Sequence, residues 1–122
     1  MIDHVSVAVR DLAAAARFYD ALLAVLEYRR LDTRETTVGY GKKYSEFWIN
    51  LRANPSSSDG MHICLRARST VLVDAFHAAA LKAGGTSDGA PGLRPHHGKN
   101  YYAAFIRDLD GNRIEAVTFT SP

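Results

Sequence analysis

A chain of 122 residues, 47% of them hydrophobic, is long enough for one compact domain that buries roughly two-thirds of the surface its unfolded form exposes. Its 15 basic and 13 acidic residues leave a net charge of +2, and the basic ones are scattered, which argues against nucleic acid because phosphate binding needs clustered Lys and Arg. Cys64 is the single cysteine, so an internal disulfide framework is excluded. No apolar run approaches the roughly 20 residues of a membrane span, no secretory leader pattern is visible, and a cytoplasmic protein is expected.

Residues 2–9 alternate as a strand. Val5, Val7 and Val9 point one way, and Ile2, His4, Ser6 and Ala8 the other. Asp11 sits where a helix N-cap belongs, and Leu12, Ala16, Tyr19, Leu23 and Leu26 then form a helical stripe. Short apolar runs around 28–31, 36–40 and 47–51 suit a meander of strands. The stretch ANPSSSDG, 53–60, is a break rich in turn residues.

The chain then begins again. MHICLRA alternates as a strand, Ser69 is a second N-cap, and a helix is predicted from about 71 to 83, closed by Gly84-Gly85. A loop, GAPGLRPHHGKN, leads to two final strands, YYAAFIRD and NRIEAVTF, joined through Asp110-Gly111, a hairpin signal. His62 lies 58 residues after His4, and the same offset aligns Asp11 with Ser69, Phe18 with Phe76 and Leu23 with Leu81. The pattern implies an internal duplication: module 1 over about 1–53 and module 2 over about 60–120. Each half holds a strand, a helix and about three more strands, and each could bury only one side of its sheet. An α+β domain is expected, with a cupped mixed sheet, helices outside and a concave face open to a ligand.

The polar residues of three strands gather on that concave face. His4 opposes the valines, His62 lies opposite Ile63 and Leu65 with Cys64 and Arg66, and Glu115 lies opposite Ile114 and Ala116. Two neutral imidazoles and a carboxylate make a three-point site for one divalent ion (Zn, Fe, Mn, Ni or Co), with positions left open for water or substrate.

Other residues are weighed for a substrate pocket. Within GLRPHHGKNYY, Arg94, His96 and Tyr101 are candidate binding residues, and Tyr102 a candidate proton donor. His96-His97 is a poor metal pair, because adjacent residues on an extended chain point apart. Glu46, Trp48 and Asn50 share a face of the fourth strand, and which of them lines the site is open. Trp48 or Asn50 is favoured over Glu46, which sits near the strand's start, and Trp48 would offer an aromatic wall. Arg66 is a candidate for a substrate carboxylate or phosphate, with an ion pair or solvent at the strand end as the alternative. Cys64 reads as a bystander and His77 as a packing residue of the second helix.

The pieces MIDHVSVAVRDLAAAARFY, GMHICLRA and DLDGNRIEAV resemble the vicinal oxygen chelate superfamily, the glyoxalase, bleomycin-resistance and dioxygenase type, over essentially the whole chain. The resemblance implies paired βαβββ modules and a divalent metal held at the positions of His4, His62 and Glu115, with Glu115 also catalytic. DLDG stands where DPDG is commoner. Glyoxalase I carries a further carboxylate on the fourth strand, and placing Glu46 far from the site puts that chemistry in question.

The resemblance implies a metal-dependent lyase or isomerase acting on a small substrate chelated through vicinal oxygens. The alternatives are a non-catalytic drug-binding protein of the bleomycin-resistance kind and an extradiol-dioxygenase-like Fe(II) enzyme. The expected partner is a small molecule, not nucleic acid or membrane. A homodimer is possible, and the metal site could close within one chain or across two.

Overall fold

The computed structural model describes residues 1–56 and 59–120, so residues 57 and 58 of the predicted break lie outside the described residues. The first module runs β1 (Val5–Val9), α1 (Leu12–Val25), β2 (Arg29–Thr33), β3 (Thr37–Gly41) and β4 (Ser45–Leu51). The second repeats it as β5 (Ile63–Arg66), α2 (Thr70–Lys82), β6 (Thr86–Leu93), β7 (Tyr101–Arg107) and β8 (Arg113–Phe119). Both predicted caps form: the Asp11 side chain accepts from the Ala14 N–H and the Ser69 hydroxyl from the Leu72 N–H. Phe18 and Phe76 are both buried, so the repeat holds at the helix anchors. It fails at Leu81, which is exposed where Leu23 is buried. The reason is that α2 buries a narrower stripe, Val73, Phe76 and Ala80.

The strands form two four-stranded mixed sheets, one per module, ordered β1-β4-β3-β2 and β5-β8-β7-β6, as expected of two βαβββ modules in an α+β fold. In each, the first strand of the module pairs parallel with the last, and the remaining pairs are antiparallel. The segment from Thr86 to Leu93, expected to be largely loop, is the edge strand β6. Its register with β7 slips at Ser87/Gly89 and again at Gly89/Gly92. An edge tolerates this, because Pro91 has no N–H to contribute and only one neighbour to satisfy.

One apolar cluster spans both modules. Val7 and Val9 lie in it with Phe18, Tyr19, Leu22 and Phe47, and Ile106, Ile114 and Ala116 with Phe76 and Ala80. Helix α1 packs on α2. Gly85 is required at this seam, since a Cβ there would stand 2.7 Å from Phe18 Cε1 and 2.8 Å from the Arg107 carbonyl oxygen. With the helices on one face of each sheet, the opposite faces are left to the polar residues.

The DLDGN turn ties the modules together. The Asp108 carboxylate accepts from the N–H groups of Asp110 (2.9 Å) and Asn112 (2.8 Å), which with Gly111 at φ 85° shape the turn. It also accepts from Asn112 Nδ2 and from the hydroxyl of Tyr19 on α1. Asn112 Nδ2 donates in addition to the Ala8 carbonyl of β1, and Asp110 accepts from both the backbone and the guanidinium of Arg10. A segment that reads locally as a hairpin turn is thus also the fastening between the two halves.

Candidate metal and substrate site

Parallel pairing of β5 with β8 sets Cys64 opposite Glu115, and β7 adds Phe105 beside Glu115 on the same face. His62, just before β5, brings Nε2 to 3.0 Å from Glu115 Oε1. The hydroxyl of Tyr101 donates to Glu115 Oε2. Glu115 is only 2% exposed, whereas half of the His62 side chain reaches solvent. A buried carboxylate with both oxygens engaged and an accessible imidazole beside it make a held pair of metal-ligating groups. The hydroxyl of Tyr101 is pushed up, by burial first and then by Glu115, so it stays a donor. Burial first, with Glu115 second, also pushes the Cys64 thiol up to about 12 and keeps it a thiol.

His4 lies on the other module, and its Nδ1 is 2.7 Å from Asp3 Oδ1. A cleft of about 420 Å³ between the modules is lined by His4 and Glu46 from one side and by His62 and Cys64 from the other. Among the described residues, no three His, Cys, Asp or Glu side chains stand close enough to hold an ion within one chain. The structure therefore brings two of the three expected ligands together and keeps His4 apart from them.

Glu46 does face the cleft. Alternation along β4 puts it on the face of Trp48 and Asn50, and the β3–β4 register slips beside it at Tyr40/Gly41. The Tyr28 hydroxyl donates to Glu46 Oε2 at 2.7 Å. Burial, followed by the Glu46 hydrogen bond, raises Tyr28 to about 12. Trp48 and Asn50 line a separate hollow with His4, Ser6 and Thr37, where Arg34 lies over the indole at 5.2 Å.

A second cavity, of about 450 Å³, opens on the other side of His62 and Glu115 and is lined by Arg94, His96, His97, Tyr101, Phe105 and Arg113. Arg94, His96 and Tyr101 thus stand together, as expected of a substrate pocket. Tyr102 does not: it pairs with Thr118, lies on the helix side of β7, and donates to Asp74 of α2 at 2.6 Å. The phase of β7 on β8 makes Tyr101, not Tyr102, the hydroxyl that faces the site. Arg66 lies over the Phe119 ring at 4.6 Å and lines neither cavity described above. His77 is on α2, with Nε2 2.8 Å from the Ser87 hydroxyl.

Sequence reading left Glu46 open among the three residues of its face and missed Phe105. Even spacing puts Glu46 on the face of Trp48 and Asn50, but only the packing of the two modules decides that Glu46 lines the cleft and the other two a separate hollow. Phe105 was hidden in a run of apolar residues.

Comparison with known proteins agrees with this architecture. A glyoxalase/bleomycin resistance protein from Albidiferax ferrireducens T118 is 34% identical over 94% of this chain and 95% of its own, with a TM-score of 0.83. Two more distant structures share the fold. A glyoxalase/bleomycin resistance protein/dioxygenase family enzyme from Burkholderia phytofirmans PsJN is 18% identical, covering 98% of each chain with a TM-score of 0.76. The fosfomycin resistance protein FosX from Mesorhizobium loti is also 18% identical, covering 98% of this chain and 92% of that one at 0.72. No curated protein matches the chain. The family match spans residues 1–116, and the chain belongs to the Glyoxalase/Bleomycin resistance protein/Dioxygenase superfamily.

Proposed function

We propose that the protein is a metal-dependent enzyme of lyase or isomerase type, acting on a small substrate with two neighbouring oxygens. The carrying observation is the His62–Glu115 pair, an imidazole and a buried carboxylate at 3.0 Å on an open cavity. That donor set suits a divalent ion, and His4 is the proposed third ligand. Because His4 stands apart from the pair within a chain, the site is completed in a homodimer, with His4 of the partner subunit facing His62 and Glu115.

A bound divalent ion would supply Lewis-acid stabilisation of negative charge on substrate oxygen. The chain's own residues do the rest. Tyr101 holds Glu115 in one orientation, and Phe105 walls the cavity against water. Glu46 lies on the same module as His4, with one oxygen held by Tyr28, so in the shared site it would enter with His4 and take and return a substrate proton. This favours proton-transfer chemistry over the oxygen-dependent alternative.

Metal analysis tests the reading on protein purified without a metal-affinity tag. Wild type should carry a divalent ion that His4→Ala, His62→Ala and Glu115→Ala each lose. A mixed dimer of one His4→Ala and one Glu115→Ala chain should regain about half the wild-type content, because one of its two shared sites is intact. Unchanged metal in the single variants refutes the ligands, and no recovery in the mixed dimer refutes the shared site. Binding of a vicinal-oxygen ligand such as catechol that survives a chelator would favour the drug-binding alternative.

A further inference from the structure

The cavity beyond the His62–Glu115 pair holds a guanidinium that no carboxylate among the described residues neutralises. Arg94 Nη1 donates to the Gly92 carbonyl at 3.0 Å and Nη2 to the Ala90 carbonyl at 2.6 Å. The group also lies over the Phe105 ring at 5.5 Å. Among the described residues, no carboxylate lies within ion-pair distance of it. The two acids of the cavity are otherwise committed. Asp88 pairs with Arg113 at 3.1 Å and Arg107 at 3.5 Å, and Glu115 with His62 and Tyr101.

The chain makes room for this placement. A Cβ on Gly89 would come within 3.2 Å of Arg94 Nη2, and one on Gly92 within 3.3 Å of Nη1. The bulged glycines of β6, an oddity for a strand, let the guanidinium lie against its own backbone. Two carbonyls and a ring fix it there, while the rest of its five N–H donors remain for a ligand. The rings of His96 and His97 lie tilted against each other, centroids 4.2 Å apart, along the same wall.

We propose that Arg94 is the centre of an anion subsite, and that the substrate carries a carboxylate, phosphonate or phosphate group remote from the oxygens that chelate the metal. Phe105, between Arg94 and Glu115, would contact the apolar body that joins them. A fixed, unpaired cation loses little freedom on meeting an anion, so its contribution goes into affinity. The substrate class rests on the metal-site reading above, but the subsite itself does not need the ion.

Two titrations separate these. Phenylphosphonate, titrated into chelator-treated protein, should bind, and Arg94→Gln should weaken it by about tenfold or more, the scale of a charged hydrogen bond. Arg94→Lys, which keeps the charge and loses the fork, should fall between. In metal-loaded protein, 3,4-dihydroxybenzoate should bind at least about tenfold tighter than catechol, and Arg94→Gln should erase that preference while sparing catechol and metal content. No phenylphosphonate binding, or binding and preference that both Arg94 variants leave intact, overturns the subsite. If phenylphosphonate binding depends on Arg94 but catechol binds equally with and without metal, the subsite stands and the metal reading falls.

Discussion

Replacing Asp108 by Ala should be among the most damaging single changes in the chain, and the structure allows its cost to be worked out. The carboxylate is 6% exposed and accepts from the Tyr19 hydroxyl, two turn N–H groups and Asn112 Nδ2. Tyr19 is wholly buried and Asn112 is 8% exposed, so water cannot replace the lost acceptor at either. A buried donor left unpaired costs roughly 1–3 kcal/mol, which puts Asp108→Ala near 4 kcal/mol, a large share of the roughly 5–15 kcal/mol typical of a domain. A melting temperature about 15 °C lower corresponds to that loss in a domain of this size. Urea unfolding at neutral pH measures it, and a double-mutant cycle with Tyr19→Phe identifies the cause. Tyr19→Phe alone should cost about 1–2 kcal/mol, but in the Asp108→Ala background it should recover about 1–2 kcal/mol, since it removes the orphaned hydroxyl. A loss below about 1 kcal/mol for Asp108→Ala, or additive costs in the cycle, would refute the claim that this carboxylate fastens the two modules.

The adjacent tyrosines should behave oppositely. Tyr101→Phe removes the donor to Glu115 and should weaken metal binding by about tenfold, whereas Tyr102→Phe, which loses only the Asp74 contact, should leave metal affinity unchanged; equal effects would contradict the register of β7. Alkaline pH should unfold the chain through its phenols. Burial first, then a neighbouring acid (Asp108 for Tyr19, Asp20 for Tyr40), raises Tyr19 and Tyr40 above the ordinary value of 10, and burial with Glu46 raises Tyr28 to about 12. Folding holds these groups neutral, so their stabilisation is whole below about pH 10 and is lost as pH rises toward and through about 12. The urea midpoint should hold up to pH 10 and fall above it, with tyrosinate absorbance rising as the chain unfolds; ionisation of all the phenols without unfolding would refute this.

The faces of the strands were legible because alternation is local. Val7 and Val9 against His4, Ile63 against His62, and Ile114 against Glu115 follow from a period of two and the need to bury one side. The caps at Asp11 and Ser69 were legible for the same reason, as each acts within one helical turn. The offset from His4 to His62 exposed the duplication, and with the closing DLDGN piece it carried the family.

What stayed hidden depended on partners distant in the chain. Tyr101 and Tyr102 are chemically identical neighbours, and only pairing with Phe119 and Thr118 decides which faces the cavity. β6 reads as a loop because Gly89, Pro91 and Gly92 lack strand character, and it becomes a strand only because β7 offers an edge. Glu46 shares its face with Trp48 and Asn50, and only the packing of the modules puts it, and not them, on the cleft with His62. His4 was placed correctly on its face but not beside its expected companions. A face is set by one strand's own alternation, whereas the distance between His4 and Glu115 is set by how α1 packs on α2 and how the Asp108 turn fastens β1. The sequence alone therefore determined the modules, their faces and the donor types; the packing between modules decided which donors meet.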